Sequence, residues 1–418
     1  MTDLLIHNLS EVATPRGNSP QRGADQRRVL RLKGAEVLCR DGLVAFVGPP
    51  EERRAAFGEL PDAERLDGRG GTLIPGFVDP HTHLPWSGSR EEEFAARLAG
   101  KTYQEIAAAG GGILSSVAAT RRASEEELAA NVRKRLDQML TWGTTTAEAK
   151  SGYGLTLDDE LKQLRAIRAA SSAHAVDLVP TLLAAHEVPP EHRSDRGRYV
   201  DLICEEIVPA AAEQGLARFC DVFCERGVFS AGESRRVLEA GVRHGLAPRL
   251  HADEFVDSGG AELAADLGAL SADHLMAVSP AGVEALARSG VTAVLLPGTS
   301  FFLRNHVYAP ARRLVEAGVP VALATDCNPG SCFTESMPAV FVLAVFELGL
   351  TIEESLTAAT LNSACSLGLG EEIGSVEAGK RADLVLLDAP NLLHLAYHFG
   401  INPVAAVVKG GRVVRTAA

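Results

Sequence analysis

Residues 75–83 read PGFVDPHTH: a Pro-Gly turn, a short apolar run, a second proline, then His81 and His83. Alternate residues of an extended segment point to the same side, so the two imidazoles converge on one point. The stretch also marks a change of texture. Before it, short β-rich runs at 4–6, 36–38, 43–47 and 72–74 are separated by polar turns containing Gly and Pro. After it, short apolar runs alternate with long amphipathic stretches, which is the pattern of βα units and a parallel sheet.

Eight runs in that second part read as strands: 76–83, 144–149, 177–185, 219–225, 248–252, 271–274, 291–297 and 320–326. Between them Ser124 with Glu127 and Ser230 with Glu233 fit capping boxes, and Gly143 and Gly245 stand where helices should stop. With no glycine-rich phosphate loop in a useful place, this predicts an α/β fold, a closed TIM-type (β/α)8 barrel over residues 75–370. The runs at 374–388 and 403–414 read as strands again. Residues 1–74 and 371–418 are therefore expected to form the two parts of one small β-sandwich-like domain built from both chain ends. Segment 15–28, rich in Arg, Gly and Gln, reads as an exposed loop.

The 418 residues are 46% hydrophobic and 23% charged, ordinary for a globular enzyme, and the formal net charge is −13. So acidic a chain offers no field for a phosphate backbone or an anionic lipid surface, which argues against nucleic-acid and membrane partners. An anionic small substrate would instead need an arginine or lysine placed in its pocket. The first ten residues have neither a basic region nor a long apolar core, and the apolar stretch 338–350 falls short of the ~20 residues of a span. Seven cysteines with irregular spacing suggest free thiols in a reducing cytoplasm. Cys220 and Cys224 lie in CDVFC with no second pair to complete a structural zinc site.

A lone HxH pair is a weak sign of a metal. Three more strand ends strengthen it: His251 in RLHADEF, His274 in ADHL and Asp326 in LATDCNPG. In a barrel the C-terminal ends of all strands face one mouth. His81, His83, His251 and Asp326 then form a three-nitrogen, one-oxygen set that suits one zinc or iron ion, which activates water for hydrolysis and polarises a carbonyl. Glu254, three residues after His251, is placed to accept a proton and to touch substrate. His274 is expected to hydrogen-bond a substrate carbonyl or move a proton, with a ligand role still open. Asp253 should point elsewhere. In the turn after Asp326, Asn328, Gly330 and Ser331 present side chains and backbone donors to the mouth and are assigned to substrate binding. No lysine stands at the fourth strand end, Cys224 and Glu225, to bridge two metals, so a single ion is expected.

DPHTHL (79–84), HADE (251–254), ADHL (272–275), TDCNPGS (325–331) and the closing GKRADLVLLD (379–388) together resemble the amidohydrolase superfamily over essentially the whole chain. Within it, HTHLPWSGSREEEF (81–94), GGGILSSVAATRRASEEEL (110–128), GTTTAEAKSGYGL (143–155) and VLLPGTSFFL (294–303) are similar to the imidazolonepropionase family. The resemblance implies that water opens the ring of 4-imidazolone-5-propanoate to N-formimidoyl-L-glutamate, a step of histidine degradation. It also implies that Arg90 binds the propanoate carboxylate, that Tyr153 and His186 contact the substrate, and that the chain forms a homodimer. The chain departs from the family pattern at Glu187, Cys332 and Phe333. A deaminase of the cytosine or guanine type would reuse the same metal set without needing Arg90. A catalytically silent barrel serving as a binding module is a further alternative, usually marked by lost ligands.

Overall fold

The computed structural model describes residues 3–101, 105 and 111–417; Met1, Thr2 and Gly110, which belong to stretches quoted above, lie outside them. The N-terminal region forms seven strands: β1 (Leu4–His7), β2 (Glu11–Thr14), β3 (Leu30–Lys33), β4 (Glu36–Arg40), β5 (Leu43–Gly48), β6 (Glu64–Asp67) and β7 (Thr72–Pro75). The parallel strands β8 (Phe77–Asp79), β9 (Thr144–Lys150), β10 (Asp177–Ala185), β11 (Phe219–Cys224), β12 (Ala247–Ala252), β13 (Ser271–His274), β14 (Thr292–Leu295) and β15 (Val321–Leu323) follow. Three more close the described chain: β16 (Leu384–Leu387), β17 (Val404–Lys409) and β18 (Arg412–Thr416).

The eight parallel strands run in sequence order around a nearly closed barrel. Its last seam is made past the ends of β8 and β15: Asp326 N donates to His81 O at 3.1 Å and His83 N to Cys327 O at 3.0 Å. Regular pairing in β8 stops at Asp79 and not at His83, because Pro80 has no N–H to give. The seventh strand likewise ends before Pro297, whose fixed φ opens the helix Pro297–Leu303. Around the barrel the helices follow the amphipathic pattern. Glu125–Thr141 buries Leu128, Val132, Leu136 and Met139 on one face, starts at a complete Ser124–Glu127 capping box and is followed by Gly143 at φ 87°. Ser230 and Glu233 cap Ala231–Arg243 in the same way.

The chain ends meet in a six-stranded sheet of order β18-β17-β16-β7-β2-β3, where β16 pairs antiparallel with β7, Leu384 opposite Pro75. A second sheet, β5-β4-β1-β6, comes from the N-terminal region alone. Leu4, Ile6 and Val37 from one sheet share a core with Val12, Leu73, Leu384 and Val408 from the other. Strands β2, β3 and β6 were not legible as runs. Each is four residues long, and β3 and β6 carry charge at alternate or adjacent positions. Segment 15–28, expected as an exposed loop, is exposed at most positions but holds a short 3-10 turn, Gly23–Arg27, whose Gln26 is fully buried. The Gln26 amide bonds both the N–H and the carbonyl of Val321 at 3.3 Å, satisfying the start of β15 as a backbone strand would. Among the described residues, no helix is long and apolar enough to cross a membrane.

Candidate active site

The strand ends of the barrel bring His81, His83, His251, His274 and Asp326 together, all buried. His83 Nε2 lies 3.4 Å from His251 Nε2 and 3.4 Å from Asp326 Oδ1, and His81 Nε2 lies 3.6 Å from the same carboxylate oxygen. Two groups of ligand atoms, His81-His83-His251 and His81-His274-Asp326, each fit within 4.8 Å. His274 and Asp326 hold positive φ angles, 79° and 55°, a costly backbone state for residues other than glycine that gathers at functional sites.

The protonation pattern aims lone pairs at the centre. His81 Nδ1 is 2.6 Å from Asp273 Oδ2, and His251 Nδ1 is 3.1 Å from Asp221 Oδ2. A carboxylate only accepts, so each Nδ1 carries a proton, and in a neutral ring Nε2 is then left bare. Burial first, then the positive charges nearby, pushes His81 well below its usual pKa and keeps it neutral. His81 Nε2 and Asp326 Oδ1 are buried without any hydrogen-bond partner. Bare nitrogens and an unpaired carboxylate oxygen facing one another make no sense as hydrogen bonding; they fit a cation. Asp326 Oδ2, by contrast, accepts from Thr299 Oγ1 at 2.6 Å.

Sequence reading missed the charged residues beneath this cluster. Glu148, Lys150, Asp221, Arg249 and Asp273 are all buried within strands β9 to β13. Burial works against the Lys150 charge, but Asp221 and Glu148 outweigh it and raise its pKa. The signal was present: a charged side chain at an inward position of an otherwise apolar strand is rarely buried unless it is paired.

Above the cluster lies a cavity of about 680 Å3. Glu254 and His274 face it, Oε2 and Nε2 3.8 Å apart. Burial, reinforced by Asp326 and Glu225, pushes Glu254 well above the ordinary carboxylate range, and burial lowers His274 to about 3. Asp253 turns away, its carboxylate accepting from the backbone N–H of Ser258, Gly260 and Ala261. Arg90, Tyr153, His186, Asn328, Gly330 and Ser331 all line the cavity. Arg90 is held by Glu93 through Nε at 3.0 Å and Nη2 at 2.8 Å, and its Nη1 lies so close over Gly330 that any side chain there would collide with it. His186 Nδ1 donates to Gly152 O at 2.9 Å, which leaves Nε2 as an acceptor. A Cβ on Gly152, at φ 106°, would come 2.9 Å from that Nδ1. Asn328 spends its amide inside the turn: Nδ2 donates to Asp326 O and Ser331 Oγ, and Oδ1 accepts from the N–H of Gly330 and Ser331. Of the three departures, Glu187 lines the cavity, Cys332 packs against Gly298, and Phe333 is half exposed with its edge on Trp86.

The amidohydrolase family model matches residues 72–414. The imidazolonepropionase of Symbiobacterium thermophilum is 53% identical, with 99% of this chain and 97% of that one covered. The chain belongs to the imidazolonepropionases of the amidohydrolase family. The imidazolonepropionase of Geobacillus sp. (strain WCH70) is 49% identical, again over 99% of this chain and 98% of that one. Among solved structures, 5-methylcytosine deaminase from Klebsiella pneumoniae is similar with a TM-score of 0.74 at 18% identity, covering 99% of this chain and 98% of that one. E. coli guanine deaminase gives 0.73 at 17%, over the whole of both chains. At that identity the deaminases share the amidohydrolase fold, and no more is drawn from them.

Proposed function

We propose that this chain hydrolyses a ring C–N bond of 4-imidazolone-5-propanoate, yielding N-formimidoyl-L-glutamate in histidine degradation. The observation that carries the reading is the convergence of bare His81 and His251 nitrogens and the unpaired Asp326 oxygen beneath a cavity whose wall bears Arg90. His81, His83, His251 and Asp326 would hold a single zinc or iron ion, which would supply Lewis-acid activation of water and of the ring carbonyl.

The chain's own groups do the rest. Glu254 takes a proton from the attacking water and returns it to the departing ring nitrogen; its raised pKa makes both steps accessible. Neutral His274 hydrogen-bonds the carbonyl oxygen as negative charge grows there. Arg90 pairs with the propanoate, His186 Nε2 accepts a ring N–H, and Tyr153 packs the ring in place. Asn328 acts by shaping the turn that presents Gly330 and Ser331. The same reading makes the protein a cytoplasmic enzyme for a small anion, a homodimer as the family suggests, without a nucleic-acid or membrane partner.

The test is to measure bound metal in the purified protein and follow loss of freshly generated 4-imidazolone-5-propanoate by ultraviolet absorbance, with Asp326→Ala as control. Turnover by the wild type alone supports the proposal. Bound metal with an untouched substrate would transfer it to a deaminase of the same fold.

A further inference from the structure

Lys150 is fully buried, and the carboxylates that hold His81 and His251 both lie against it. Its Nζ lies 2.7 Å from Glu148 Oε1, 2.7 Å from Asp221 Oδ2 and 4.0 Å from Asp273 Oδ2. Asp221 holds His251 Nδ1, and Asp273 holds His81 Nδ1. Glu148 Oε2 accepts from the backbone N–H of Thr82, the residue between His81 and His83, at 3.2 Å. The backbone N–H of Lys150 donates to Thr82 O at 2.9 Å from the other side.

Lys150, Asp221 and Asp273 come from the second, fourth and sixth barrel strands, and alternate strands of such a barrel fill one interior layer. Here that layer is charged where branched apolar side chains are usual. Arg249, the buried cation of β12, reaches Asp273 with Nη2 at 3.3 Å but also gives Nη2 to the Pro80 carbonyl and Nη1 to that of Ser366. Glu148 and Asp221 are thus left to Lys150.

We propose that Lys150 is a positioning residue for the metal site: one buried ammonium locks three carboxylates, and through them fixes the ring orientation of His81 and His251 and the backbone between His81 and His83. This rests on the metal reading above. Without the ammonium, Glu148 and Asp221 repel each other across the barrel axis, and the His251 ring loses the fixed acceptor that turns its Nε2 toward the centre. Loss of an outer partner of this kind typically weakens metal binding ~10- to 100-fold.

The experiment is a double-mutant cycle on the full chain: wild type, Lys150→Met, Asp221→Asn and both together. Zn(II) affinity is read by competition with a chromophoric chelator, and urea unfolding of the chelated proteins reports stability separately. Lys150→Met should raise the Zn(II) Kd about 10- to 100-fold. The double mutant should lose clearly less than the product of the two single losses, because the part of the Lys150 effect that reaches His251 runs through Asp221. Should Lys150→Met fail to fold, the double mutant, which removes both charges of the pair, still compares with Asp221→Asn. A Lys150→Met affinity within threefold of wild type, or losses that multiply in the double mutant, overturns the inference alone. A wild type that binds no Zn(II) overturns the metal reading with it.

Discussion

Glu254 Oε2 stands 3.8 Å from His274 Nε2, and neither ring nitrogen of His274 has a hydrogen-bond partner. The pair brings a carboxyl with a raised pKa against an imidazole held neutral, both open to the cavity. Such a split of two neighbouring titratable groups matches the proposed roles, in which Glu254 moves protons and His274 donates a hydrogen bond.

Glu254→Gln keeps the shape of that side chain and removes the basic oxygen. Turnover should fall ~10²- to 10⁴-fold, the usual contribution of a positioned acid–base group, with bound metal unchanged. Steady-state kinetics beside metal analysis of the same samples decide the matter. A mutant that loses its metal together with its activity would mean that Glu254 supports the ligands instead.

Removal of the metal should act on stability as well as on rate. In the proposed site the buried lone pairs of His81, His83 and His251 and the Asp326 oxygen meet only in the folded chain, so a cation held there would bind that state alone. At a metal concentration of 100 Kd the ion adds about 2.7 kcal/mol to folding. Chelation should lower Tm measurably and abolish turnover, and re-addition of Zn(II) or Fe(II) should restore both. In Asp326→Ala the two melting curves, with and without chelator, should draw together.

In the proposed reading Arg90 carries one specific burden, the substrate's carboxylate. Glu93 already fixes Nε and Nη2 of its guanidinium, so the side chain is oriented before substrate arrives. A hydrogen bond to a charged group is worth ~1.5–3 kcal/mol, so Arg90→Gln should raise KM ~10- to 100-fold. An imidazolone lacking the propanoate tail should bind wild type and mutant equally weakly. Equal losses for both ligands would place Arg90 in the scaffold of the NPGS turn, where Gly330 packs against it.

The sequence showed the barrel and its rim more clearly than the layer beneath. Apolar strands ending on His251, His274 and Asp326 stand out because an ionisable residue closes each run. The reading erred where a proline sits, since regular pairing ends at or before Pro80 and Pro297 in stretches that were each read as one strand. Lys150 and Asp273 were missed for a different reason. A charged residue inside an apolar strand signals a buried pair, but the partners Asp221 and Arg249 come from other strands and the local run does not name them. The same holds for Gln26, whose loop looks solvated until the start of β15 is found to need its amide.

Glu354 offers a pH test far from the chemistry. It opens the helix Ile352–Ala359 in a capping box with Thr351, and Arg312 and Arg27 both reach its carboxylate, at 2.7 and 2.9 Å. Burial works against the charge, but these donors outweigh it and lower the pKa from 4.5 to about 2. A carboxyl whose pKa is depressed on folding adds stability that is fully present above the unfolded value of 4.5 and is lost as pH falls toward 2. Glu354→Gln should therefore destabilise the protein by ~1–3 kcal/mol at neutral pH, toward the lower figure because Arg27 is half exposed and its pairing partly screened. Urea midpoints of mutant and wild type should converge as pH drops below about 4. A gap that stays constant down to pH ~3 would show that the loss comes from the cap geometry and not from the carboxylate charge.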